Sequence, residues 1–161
     1  MRDFIFDSLL KESYIFYLLP LRIYIGLTFL MQGIGLSRAG FNDIMLEEQL
    51  DRWLDRDPVE WYAALMQGPF MENSALIAGL VIAGNLIVGA LLLLGLATRP
   101  ACVVGILMNL NFMFAKGSSF TSISDPVDAI FILIQLTLLF AGAGRSFGVD
   151  YWIGRKARLL G

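Results

Sequence analysis

From Asn73 to Thr98 the chain carries no charged side chain. A bilayer core of about 30 Å is crossed by roughly 20 residues of α-helix. A run this long and this apolar is read as a membrane-spanning helix, which constrains everything around it. Other apolar blocks flank it, and 57% of the whole chain is hydrophobic, above the ~45–50% usual for a soluble domain. The expected fold is all-α: a polytopic membrane protein forming one domain over residues 1–161. Four transmembrane helices, near 17–36, 74–97, 100–116 and 126–144, form a bundle. A loop over 37–72, with short amphipathic helices, joins the first two spans.

Proline and acidic residues set several boundaries. The first block, 14–36, is interrupted by Pro20 and Arg22. Proline suits the first turn of a helix and breaks its middle, so 14–19 is assigned to the interface and the span proper begins at Pro20. Pro100 opens the third span after a tight Thr98-Arg99-Pro100 connection. Asp57-Pro58-Val59-Glu60 and Asp125-Pro126-Val127-Asp128 repeat one pattern: an acid at the cap, a proline, then an acid in the first turn. That pattern satisfies free N–H groups and complements the helix dipole. It predicts a short helix over 58–67 and the start of the fourth span. The first 14 residues mix acids with Arg2 and Lys11 and do not read as a cleavable signal peptide. Phe4, Ile5, Leu9 and Leu10 give them an apolar face for the membrane surface.

Basic residues orient a polytopic chain. With both termini in the cytoplasm, Arg2, Lys11, Arg99, Arg145, Arg155, Lys156 and Arg158 lie inside, against Arg38, Arg52, Arg56 and Lys116 outside. The 37–72 loop holds eight acids and is expected outside. Its Trp53, Trp61, Tyr62 and Leu65 are candidate partner-binding residues on amphipathic helices. The expected setting is the cytoplasmic membrane of a bacterium or archaeon.

Absences limit the chemistry. There is no histidine and one cysteine, Cys102. The usual haem ligand, the commonest zinc ligand and the commonest neutral-pH base are missing, and one thiol cannot hold an iron–sulfur cluster. No metal site and no tightly bound cofactor are expected; quinone or lipid are the ligands left. A net charge of −2 gives no basic face for nucleic acid. The expected partners are membrane lipids and other membrane subunits, cofactor-bearing ones included.

Polar residues within the spans are the candidates for function, because intramembrane polarity is costly. Arg22 either snorkels to the headgroups or pairs inside the bundle. Gln32, Asn85, Asn109, Asn111 and Gln135 suit interhelical hydrogen bonds, and an amide N–H also suits a quinone carbonyl. Lys116 and Asp128 meet at one end of spans three and four, as helix-end charges or as a pair at a substrate mouth. Glycines 79, 84, 89 and 95 allow close packing of span two.

The stretch Leu21-Arg22-Ile23-Tyr24-Ile25-Gly26-Leu27-Thr28-Phe29-Leu30-Met31-Gln32-Gly33 resembles the DoxX/DoxD family of four-helix membrane proteins. Gly95-Leu96-Ala97-Thr98-Arg99-Pro100-Ala101 is similar to that family's G-L-x-T-R-x-A turn. The resemblance implies a role beside membrane redox chemistry; the DoxD branch is the large subunit of a thiosulfate:quinone oxidoreductase. It carries over Arg22 and Arg99. Gln32 stands where members often have histidine, and Asn85 where many have glutamate, which removes titratable groups. Three functions follow: a non-catalytic subunit of a respiratory or photosynthetic electron-transfer complex, a quinone-reducing subunit of a thiosulfate:quinone-type enzyme, or a small transporter.

Overall fold

The computed structural model describes residues 17–56, 58–117 and 126–141. The apolar face expected in the first 14 residues, the Asp57 and Asp125 caps and the end of span four after residue 141 lie outside them. The described residues form helices α1 (Leu19–Arg38), α2 (Asp43–Leu54), α3 (Glu60–Leu65), α4 (Ser74–Leu94), α5 (Thr98–Ala115) and α6 (Val127–Ala141), with a π-helical stretch, Met66–Phe70, after α3. No strand occurs among them.

Helices α1, α4 and α5 are long and apolar enough to cross a membrane, and α6 is a shorter apolar helix. Their outward surfaces are apolar too. Leu27 and Met31 on α1, Leu76, Leu80 and Ile87 on α4, Leu107 on α5, and Leu133 and Phe140 on α6 are all exposed. A bundle in water would turn charge outward on these faces; here lipid completes the outer layer.

Within the bundle α1 packs most extensively on α4, and α5 on α6, with α4 and α5 joining the two pairs. Gly89 explains the first contact. A Cβ there would lie 2.5 Å from the Leu30 backbone nitrogen and 2.9 Å from the Gly26 carbonyl oxygen, so the two backbones touch. The other small residues of α4 differ: Gly84 faces only the Met108 side chain, and nothing lies within 4 Å of a Cβ on Gly79.

Gly95 does something else. With φ at +63° it ends α4 in a Schellman arrangement: Leu96 N–H donates to Leu91 O at 3.0 Å and Gly95 N–H to Leu92 O at 3.2 Å. The helix therefore stops at Leu94, earlier than the expected 97, and the turn falls at 95–97. Pro100 then sits in the first turn of α5.

Asn42 caps α2 by accepting from Met45 N–H at 3.1 Å. The short helix expected over 58–67 is corrected: its α-helical part is Glu60–Leu65, and it widens into the π-helical stretch because Pro69 has no N–H to donate and its ring crowds the preceding turn. The loop folds back on the bundle. Leu46, Leu50, Tyr62 and Met66 are buried with Ala78 and Ala115, and Ser74 Oγ donates to Glu47 Oε1 at 2.6 Å.

Candidate functional site

Beneath α2, at the loop end of the bundle, lies a cavity of about 550 Å³, within the range of small-molecule sites. Four helices of the bundle and the loop build it. Gln32 and Leu36 come from α1, Val81 and Asn85 from α4, Asn109 and Phe112 from α5, and Asp128 and Phe131 from α6, with Lys116 just past α5. Leu46, Gln49 and Trp53 share one face of α2, at spacings of three and four, and form the roof with Arg56. Trp53 meets Phe112 edge-on, ring centroids 6.2 Å apart.

The charged wall is an ion pair. Lys116 Nζ donates to Asp128 Oδ2 at 2.7 Å, the side chains being 22% and 8% exposed. Lys116 follows the C-terminus of α5 and Asp128 lies in the first turn of α6, so each charge also complements a helix dipole.

Asn85 Nδ2 donates to Val81 O at 2.8 Å, and Asn109 Nδ2 to Gly105 O at 3.0 Å. Each Nδ2 thus places one of its two N–H groups one turn back within its own helix. Asn111 Oδ1 instead accepts from the Tyr62 hydroxyl, fastening α3 to α5. Burial raises the Tyr62 phenol to about 12, because desolvation disfavours the phenolate, so Tyr62 is a donor at any physiological pH. Gln135 is fully buried where a side chain on Gly105 would sit; neither its oxygen nor its nitrogen has a hydrogen bond among the described residues.

A second groove, of about 310 Å³, runs between α4 and α5, lined by residues including Ile77, Leu80, Val104, Leu107 and Met108. It adjoins the cavity, since Val81 and Phe112 line both.

Gln32, Asn85, Asn109, Lys116 and Asp128 are thus brought together, while Asn111 lies in the neighbouring groove. Arg22 and Arg99 are not. Arg22 precedes Gln32 by ten residues, roughly 15 Å of helix at 1.5 Å per residue. At 2% exposure it lies inside the bundle, and a snorkelling head group does not describe it. Arg99 is exposed near the start of α5. Of the four loop residues singled out for partners, Tyr62 is buried against this chain's own bundle and Trp53 roofs the cavity, whereas Trp61 and Leu65 are 55% and 37% exposed. Phe112 and Phe131 as cavity walls were missed. Their signal was phase: Asp128, Phe131 and Gln135 recur at three and four residues, one face of α6. Among the described residues no group of three or more His, Cys, Asp or Glu is placed to hold a metal ion.

The family model described as DoxX matches residues 17–116, from just before α1 to Lys116, leaving Asp128 and α6 outside. No curated protein and no solved structure matches the chain.

Proposed function

This chain belongs to the DoxX family, and from that premise we propose that it is a non-catalytic subunit of a membrane electron-transfer complex that holds the headgroup of a membrane quinone. Redox centres belong to its partners, because the sequence has no histidine and one cysteine, and that cysteine is fully buried. The observation that carries this reading is a cavity of about 550 Å³ with amides and an ion pair in an otherwise apolar wall, adjoining an apolar groove. That pairing matches a ligand with a hydrogen-bonding ring and a hydrocarbon tail. The mostly apolar lining suits an uncharged ring better than an anionic sulfur donor, so thiosulfate oxidation at this cavity is the weaker alternative.

The test is binding by the whole chain in lipid nanodiscs, read by tryptophan fluorescence as a decyl-chain benzoquinone is added. Trp53 at the roof should give saturable quenching. Val81→Phe, which obstructs the junction of cavity and groove, should weaken it at least about tenfold, or ~1.4 kcal/mol. Quenching that rises without saturating in the native chain would sink the ligand reading.

The protein lies in the cytoplasmic membrane of a bacterium or archaeon, with both termini inside and the 37–72 loop outside, as the basic residues favour. A cysteine replacing Glu48 should then react with an impermeant maleimide from the outer face, and one replacing Arg99 should not. Cys102 is buried and stays silent. The opposite pattern reverses the topology.

A further inference from the structure

Resting on the quinone reading above, we propose that the cavity selects the reduced, hydroxyl-bearing form of its ligand, a hydroquinone-class ring whose hydroxyl donates to Asn85 Oδ1. Asn85 is 2% exposed and lines the cavity. Its Nδ2 donates to Val81 O at 2.8 Å, and a backbone carbonyl accepts only from the NH₂ end of an amide. That bond therefore decides which way the amide is turned. Oδ1 is left as a buried acceptor that meets no donor among the described residues. Asn109 has its Nδ2 engaged in the same way, and Asp128 adds a carboxylate. The second N–H of each amide and the Gln32 amide can donate to either ring form, so Asn85 Oδ1 is the atom that tells them apart. A quinone carbonyl is also only an acceptor, and against Asn85 Oδ1 it leaves two oxygens unmatched. A ring hydroxyl supplies the missing proton, and a buried polar atom gains most from having its partner restored.

The experiment compares three probes on the whole chain in nanodiscs under anaerobic conditions: a decyl-chain benzoquinone, its hydroquinone, and the dimethyl ether of that hydroquinone, which has oxygens but no donor. The hydroquinone should bind at least about tenfold more tightly than either of the others. Asn85→Leu, which keeps the branched shape and removes both polar atoms, should remove the difference. The comparison with the ether uses the native chain and stands even if that variant does not fold. Equal or tighter binding of the quinone overturns the preference while leaving the ligand site in place. A hydroquinone preference that survives in Asn85→Leu overturns the role of Asn85. Saturable binding of none of the three removes the quinone reading and the preference with it.

Discussion

Gly89→Leu should prevent the bundle from assembling. A Cβ at this position falls 2.5 Å from the Leu30 nitrogen and 2.8 Å from its Cα, and backbone atoms of a neighbouring helix cannot turn aside as a side chain can. Even Gly89→Ala forces α1 and α4 apart, and such overpacking costs about 1–3 kcal/mol. Leucine adds further atoms in the same gap. The measurement is the thermal midpoint of the detergent-solubilised chain, followed by size exclusion. Gly79→Leu is the control: it has open space within 4 Å and should stay within about 0.5 kcal/mol of the native chain. A native-like midpoint for Gly89→Leu would mean that α1 and α4 do not meet in this register.

Asp128→Leu is the second large effect. It removes the carboxylate that accepts from Lys116 Nζ at 2.7 Å. Breaking a fully buried pair costs ~3–5 kcal/mol and an exposed one at most about 1. With side-chain exposures of 22% and 8% this pair lies between, and a loss of roughly 2–3 kcal/mol is expected on those same scales. Lys116→Met should lose a similar amount. The double variant should lose clearly less than the two single losses combined, because the interaction between the two side chains is lost only once. Strict additivity in that cycle would show that the two side chains do not interact.

The spans were legible because apolarity over some 20 residues has few other outcomes. Their ends were less so. Gly95 read as one more small residue of a packing stripe, yet its positive φ ends α4; composition does not distinguish a glycine needed for close approach from one needed for a left-handed turn. Pro58 was legible as a helix signal, whereas Pro69, two residues past the expected end at 67, was not foreseen as the cause of a wider helical turn. In the site, the cost of intramembrane polarity picked out Gln32, Asn85, Asn109, Lys116 and Asp128 before any geometry was known. It could not show that Trp53 would cover them, since an amphipathic loop helix can bury its apolar face on its own bundle or on a partner. Nor could it show the direction of the amides, which depends on a backbone carbonyl one turn away.

The groove between α4 and α5 has a further consequence for supply. Leu80, Val104 and Leu107, which line it, are exposed on the flank of the bundle. A molecule reaching the cavity along that route leaves the hydrocarbon phase without passing through water. Its occupancy then follows its mole fraction in the lipid, and excess empty bilayer dilutes it as surely as added buffer dilutes a soluble ligand. Lengthening the tail raises retention by partition alone, with no new contact to the protein.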